Sequence, residues 1–200
     1  AIMAGMYAAY HGPKGLTQIA ERIHGLSVLL ANSLRELGYT IKNEAFFDTV
    51  AVEAGDLAGS IHGEALNNEM NLNYKGGLIT ISLDEATTLE DVLTLVKVFG
   101  KVKGKSASEI ILNTNSLETP VPAELHRASE LLTHQVFTSY HSEHEMLRYI
   151  KSLEAKDLSL AHSMIPLGSC TMKLNATAEM APITWPEFSR IHPFAPTDQV

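Results

Sequence analysis

The chain has 200 residues, of which 45% are hydrophobic and 19% are charged, so it can form a packed core and is not globally disordered. Its formal net charge of −8 at pH 7 argues against a nucleic-acid-binding protein, which needs a concentrated basic surface. The single cysteine, Cys170, excludes a disulfide framework, and no apolar stretch approaches the roughly 20 residues of a membrane helix. Because the first ten residues resemble the interior of an apolar helix, we expect the chain to be a piece of a longer protein.

The first hundred residues predict a compact α/β unit. The hydrophobic pattern indicates a helix, a strand, a helix, a hairpin and a helix, over residues 14–37, 46–52, 60–70, 71–83 and 88–99. A turn at His11-Gly12-Pro13 precedes the first helix, and Gly38 is placed to end it.

The middle of the chain is predicted to be a boundary followed by two helices. Residues 100–122 are rich in turn formers, and Lys101, Lys103 and Lys105 alternate with smaller residues, which is typical of a solvated linker. An anion site at these lysines is the alternative. Helices are predicted over residues 123–132 and from Ser142 onward.

Nine histidines raise the question of a metal site. His141 and His144 lie three residues apart and could place two ligands on one helix turn, but no other pair has the spacing of a zinc site, so we predict no metal. His11 and His192 lie beside turn-forming residues, which indicates a structural role or a hydrogen bond to the backbone.

A loop-rich segment near the end offers the strongest candidate site. In Gly168-Ser169-Cys170-Thr171, backbone N–H groups and two hydroxyls could form a nest for a carboxylate or a phosphate. Cys170 could be a nucleophile, although a lone cysteine is more often a small buried side chain. Nothing around Lys173 favours a Schiff base with a carbonyl cofactor, so a solvated or ion-paired lysine is the better interpretation.

The same segment carries a family resemblance. Residues 163–175 read SMIPLGSCTMKLN, a run dense in hydroxyl residues with Gly, Pro and Cys. This run strongly resembles glycine decarboxylase, the P-protein family of the glycine cleavage system. Further similar stretches extend the resemblance over nearly the whole chain, at residues 10–13, 46–49, 81–85, 132–134, 140–149, 156–160, 179–188 and 192–196.

The resemblance implies a fold and a domain organisation. Members of that family have two homologous halves, each resembling the aspartate aminotransferase fold, which is fold type I of the pyridoxal-phosphate enzymes. Residues 1–100 are then expected to be the small C-terminal domain of the first half, and residues 101–140 an inter-half linker with a short helix. Residues 141–200 are expected to open the second, catalytic half. The Schiff-base lysine is expected beyond Val200, so no catalytic residue is expected within the chain.

The resemblance also implies an activity. The family's enzyme is an oxidoreductase, a glycine dehydrogenase that decarboxylates glycine on pyridoxal phosphate and transfers the aminomethyl group to the lipoyl arm of H-protein. Ser169, Cys170 and Thr171 are then expected near the substrate or cofactor, and the intact enzyme is expected to be a homodimer. The chain alone is expected to be inactive, poorly soluble or self-associating, with no nucleic-acid or membrane partner. The expected compartment is the cytoplasm if the source is bacterial, which we favour, and the mitochondrial matrix if it is eukaryotic.

The sequence departs from the family at one position and permits one rival interpretation. Asn73 stands where many family members have an arginine, which is consistent with a non-catalytic first half. The rival interpretation is a free-standing α/β module, related to ferredoxin-like folds, that binds a small molecule or drives oligomerisation without catalysis.

Overall fold

The computed structural model describes residues 1–106, 108, 112, 121–157 and 177–200. The chain divides into two compact units, Ala1–Leu147 and Arg148–Val200. Within the described ranges, no helix is both long enough and apolar enough to cross a membrane.

The first unit is a mixed α/β structure. Its main elements in chain order are α1 (Ile2–Glu36), β1 (Thr40–Ile41), β2 (Thr49–Glu53), α2 (Ala58–Asn67), β3 (Asn73–Lys75), β4 (Leu78–Ser82) and α3 (Leu89–Val102). The strands form one sheet in the order β1-β2-β4-β3, and every neighbouring pair is antiparallel. The predicted α/β class and the predicted hairpin are confirmed.

The core lies between one face of the sheet and the helices. Val50 is paired with Ile81, and Val52 with Ile79, so these four apolar side chains share one face and are buried. They belong to a single buried cluster with residues from all three helices, among them Leu29, Leu30, Leu34, Ile61, Val92 and Phe99. The alternate residues of β2 and β4 are less buried and include hydroxyls, such as Thr49 and Ser82, whose oxygens lie 2.8 Å apart.

Helix α1 ends as predicted but begins differently. Gly38 has a φ of 80°, donates to the Arg35 carbonyl, and is followed by a hydrogen bond from Tyr39 N to Leu34 O, which is the Schellman pattern. At the other end, the predicted turn at residues 11–13 is a kink inside a helix that starts at Ile2.

Two of the predicted elements need correction at the edge of the sheet. β2 begins at Thr49 and not at residue 46, because Phe46 and Phe47 leave the strand and their rings pack beside His24. The short strand β1 was not predicted. The Asn43 side chain continues its pairing, accepting from Ala51 N at 3.0 Å and donating to Thr49 O at 2.9 Å.

The predicted helix over residues 123–132 is wrong, since only a 3-10 turn forms there, at Ala123–Leu125. A second 3-10 turn, Gln135–Thr138, follows. Both predicted capping boxes are confirmed. Thr88 and Asp91 exchange hydrogen bonds at the start of α3, and Ser142 and Glu145 do so before α4 (Glu143–Glu154).

The described end of the chain consists of short turns. These are α5 (Thr177–Met180), a 3-10 turn (Ala181–Thr184) and α6 (Pro186–Ser189). Large apolar side chains in this stretch are exposed: Ile183, Trp185, Phe188, Ile191 and Phe194.

Candidate functional site

The loop predicted as the site lies outside the described residues. Ser169, Cys170 and Thr171 fall within residues 158–176, as does Lys173, and those positions carry no structural description.

The kink in α1 is a close-packed junction. Gly12 has φ 63° and ψ −178°, a conformation open essentially to glycine alone. A Cβ at this position would lie 2.6 Å from the Phe137 carbonyl oxygen and 2.7 Å from Cε1 of His141. Glycine is therefore required here both for its backbone conformation and for the close approach of residues 137–141.

His141 closes this junction. Its Nδ1 lies 2.7 Å from the Tyr10 carbonyl oxygen, and because a carbonyl can only accept, Nδ1 carries the proton. The bond gives the Tyr10 carbonyl, which lies beside the kink, a side-chain partner. His141 thus binds backbone, and the described residues hold no cluster of three or more His, Cys, Asp or Glu side chains suited to a metal ion.

A second set of contacts holds the first part of α1. The Tyr7 hydroxyl donates to the carboxylate of Glu85, 78 residues away, and this hydrogen bond raises the pKa of Tyr7. Arg22 donates to the carbonyls of Glu85 and Thr87 at 3.0 and 2.6 Å, which fixes the loop that carries Glu85. The His11 ring packs against Tyr7, with centroids 4.3 Å apart, so its predicted structural role is confirmed.

These contacts were missed by the sequence analysis, because no local spacing connects residues so far apart. Tyr7 and Tyr10 are partly exposed. The polar groups of Tyr7, Arg22 and His141 are all used in hydrogen bonds within the unit. Together, the hydrogen bonds of Tyr7, Arg22 and His141 hold the first turns of α1 against the rest of the unit.

His192 and Asn73, which the sequence also singled out, each form a hydrogen bond within the chain. His192 Nδ1 accepts from Phe194 N at 3.0 Å, which confirms the predicted backbone hydrogen bond. Asn73 on β3 donates to the Thr80 hydroxyl at 2.6 Å, so its amide is used within the sheet. An amide also lacks the charge with which an arginine binds a carboxylate.

The buried His24 was not singled out from the sequence. Its Nδ1 lies 2.8 Å from the Phe47 carbonyl, its ring stacks on that of Phe47, and Nε2 is buried without a hydrogen-bond partner among the described residues. The ring fastens the loop before β2 to α1.

The described residues do not fit pyridoxal phosphate. A lysine that forms a Schiff base needs a desolvated pocket that favours its neutral amine. Every lysine in the described ranges is exposed except Lys97, which is half-buried. Lys101 and Lys151 form ion pairs with Glu64 and Glu154, each at 2.8 Å.

Two relatives match nearly the whole chain, and a family model matches its first half. A family model described as "Glycine cleavage system P-protein" matches residues 1–99. A protein of Solanum tuberosum named "Glycine dehydrogenase (decarboxylating), mitochondrial" is 53% identical over 201 residues, which cover 98% of this chain and 19% of that protein. The protein of the same name from Pisum sativum is 52% identical over 198 residues, covering 98% of this chain and 18% of the relative. The chain thus spans about a fifth of these relatives.

The structure places the chain in the class of mixed α/β proteins. The first unit is a mixed α/β scaffold with a small antiparallel sheet. Within that class, the chain belongs to the glycine cleavage system P-protein family.

Proposed function

We propose that the chain is a segment of a glycine dehydrogenase (decarboxylating). The enzyme would decarboxylate glycine with pyridoxal phosphate as cofactor and pass the aminomethyl group to the lipoyl arm of H-protein. The supporting observation is the identity of 53% and 52% to proteins of that name, spread over 98% of this chain. Fold type I for each half, and a homodimer for the intact enzyme, are parts of the same proposal.

Within that enzyme, the described part of residues 1–100 serves as a scaffold. Its buried cluster draws on α1, α2 and α3 and on the two central strands β2 and β4, and its lysines do not fit the cofactor. We assign residues 1–100 to the small domain of the first half, residues 101–140 to the connection, and residues 141–200 to the start of the second half. The Schiff-base lysine would then lie beyond Val200.

The proposed compartment follows the relatives. Both plant relatives are named as mitochondrial proteins, which is consistent with the mitochondrial matrix for a eukaryotic source. The preference for a bacterial, cytoplasmic source finds no support in these relatives.

A segment exchange tests the proposal. The matching segment of the Pisum sativum enzyme is replaced by this chain, and release of carbon dioxide from glycine is measured with lipoylated H-protein. We expect activity within an order of magnitude of the parent, because about half of the residues are identical. The same exchange carrying Phe99→Asp should lose activity, since Phe99 is fully buried. A folded, cofactor-loaded chimera without activity would refute the proposal and favour a binding module.

The loop at residues 168–171 has a specific role in this proposal. Glycine at position 168 permits close approach of the backbone, and the hydroxyls of Ser169 and Thr171 would hydrogen-bond the carboxylate of the substrate. We assign Cys170 to packing.

Ser169→Ala should therefore reduce kcat/KM of the chimera about tenfold to a hundredfold, equivalent to the loss of one charge-assisted hydrogen bond of about 1.5–3 kcal/mol. Cofactor binding, followed by absorbance, should hardly change. The matched control is Ser189→Ala, at the exposed end of α6, which should keep parental kinetics. Parental kinetics in both Ser169→Ala and Thr171→Ala would remove the loop from the active site.

A further inference from the structure

A hollow of about 370 Å³ lies beside the C-terminal ends of α2 and α3, in the first unit. Its polar lining is formed by Glu64, Asn68, Lys97, Lys101, Lys105 and Ser106. This volume is within the range of small-ligand pockets. The hollow is independent of the proposed active-site loop, and no step of the proposed function uses it.

The structure separates the lysines that the sequence grouped together. α3 continues to Val102, so Lys101 lies on the helix and not in a linker. Lys97 precedes Lys101 by four residues, which places both side chains on the same face of the helix. Lys103 points elsewhere: it donates to the Gly38 carbonyl at 3.3 Å and lies 4.6 Å from the centre of the Tyr39 ring.

The charges around the hollow do not balance. Lys101 pairs with Glu64 at 2.8 Å, and this bond lowers the pKa of Glu64. Asn68 Nδ2 donates to the same carboxylate at 3.2 Å, so the only acidic side chain in the lining is already engaged. Lys97 and Lys105 have no acidic partner among the described residues. The hollow therefore carries two uncompensated positive charges in a chain whose formal net charge is −8.

The hollow is a concave, electropositive surface. Its charge comes from the unpaired ammonium groups of Lys97 and Lys105 and from Lys101, which is shared with Glu64. Like charges one helical turn apart repel each other, and a bound anion would relieve that repulsion. A compact dianion can contact several ammonium groups at once, whereas a monovalent halide offers a single charge without directional acceptors.

We propose that this hollow binds the phosphate group of a small molecule. Lys97 and Lys105 supply its charge, and Lys101 turns toward the anion in competition with Glu64. Inorganic phosphate and a small phosphate monoester share this chemistry.

Phosphate titrations of the 200-residue chain test the proposal, with chloride added to hold the ionic strength constant. Binding is read from ³¹P NMR shifts and by calorimetry. We expect saturable binding that Lys97→Gln and Lys105→Gln each weaken about fivefold. The matched controls are Lys75→Gln and Lys42→Gln, which remove exposed lysines away from the hollow and should leave the affinity unchanged.

A variant with the opposite expectation sharpens the test. Glu64→Gln frees Lys101 and should tighten phosphate binding, whereas Glu69→Gln changes the net charge equally outside the lining and should not. Tighter binding of glycerol 3-phosphate than of inorganic phosphate would identify a monoester as the ligand, and the reverse order would identify the free ion.

Three results would overturn the proposal. One is the absence of saturable binding at millimolar phosphate. Another is an equal loss of affinity in Lys75→Gln and Lys97→Gln. The third is a change of stability in Lys97→Gln with unchanged phosphate affinity, which would assign these lysines to the helix C-terminus alone.

Discussion

A core of large apolar side chains is buried in the α/β region, residues 1–102, but such side chains are exposed in the terminal stretch, residues 177–200. In the first, Phe99, Leu34 and Val50 are completely buried. In the second, Trp185 is 52% exposed, Phe188 60% and Phe194 88%. Both regions are rich in apolar residues, but only the first has helices and strands long enough to enclose them.

The comparison shows where the stability of the chain resides. Burial of apolar surface is the main favourable term in folding, so the α/β region should carry most of the free energy of unfolding. Exposed apolar residues close together mark surfaces that bind other surfaces. The terminal stretch is therefore better suited to contact than to holding the fold.

Matched phenylalanine truncations give the largest expected contrast. Phe99→Ala should lower the free energy of unfolding by about 3–5 kcal/mol, because it removes a fully buried ring. Phe194→Ala should change it by less than about 0.5 kcal/mol, since that ring is exposed. Urea denaturation followed by far-UV circular dichroism measures both. Comparable losses in the two variants would contradict the division into core and contact region.

A pair of glycine substitutions sharpens the contrast within one helix. Gly12→Ala should cost about 3 kcal/mol, because alanine cannot adopt the kink conformation and its Cβ would meet the Phe137 carbonyl at 2.6 Å. The control is Gly5→Ala, on the same helix and with no atom within 4 Å of the added Cβ. It should be neutral or stabilising by up to about 1 kcal/mol. A Gly12→Ala protein as stable as Gly5→Ala would show that the junction with residues 137–141 is not formed.

The smallest expected effect concerns a buried phenol. Tyr39 is buried and donates to the Phe99 carbonyl at 2.9 Å, and burial raises the pKa of Tyr39 to about 12. The unfolded phenol ionises near pH 10, so between these values the folded state holds the proton more tightly and stability falls as pH rises.

The unmodified chain should therefore lose roughly 2 kcal/mol of stability between pH 10 and 12 that Tyr39→Phe does not lose. At neutral pH, Tyr39→Phe should cost only about 1 kcal/mol for the missing hydrogen bond. Parallel denaturation curves at several pH values compare the two proteins, and all other titrating groups cancel in the difference. An identical alkaline loss in both would contradict a buried, neutral Tyr39.

The regular part of the fold was accessible from the sequence, because its signals are local. The capping box at Thr88 and Asp91, and the Schellman end at Gly38, each involve residues within one helical turn. The helix predicted over residues 123–132 failed for the opposite reason. Half of its residues are Ala or Leu, but Leu125 stays 68% exposed, so packing does not stabilise a full helix there.

The long-range polar contacts could not have been predicted. The hydrogen bond from Tyr7 to Glu85 connects residues 78 positions apart, and that from His141 to Tyr10 connects residues 131 positions apart. Nothing in the local sequence around these residues indicates such a partner. Similarly, Lys97, Lys101 and Lys105 line the hollow, whereas Lys103 is the C-terminal cap residue of α3. This difference depends on where α3 ends, which the sequence pattern did not show. The candidate loop at Ser169, Cys170 and Thr171 was found through family resemblance, since its composition alone names no reaction.

The central proposal is that this chain does not supply the lysine that binds the cofactor. The direct test is to mix the 200-residue chain with pyridoxal phosphate, reduce it with borohydride, and map pyridoxyl-lysine by mass spectrometry of the digested chain. Our account predicts only trace labelling, spread over exposed lysines. A stoichiometric adduct on a single lysine, Lys173 above all, would contradict it.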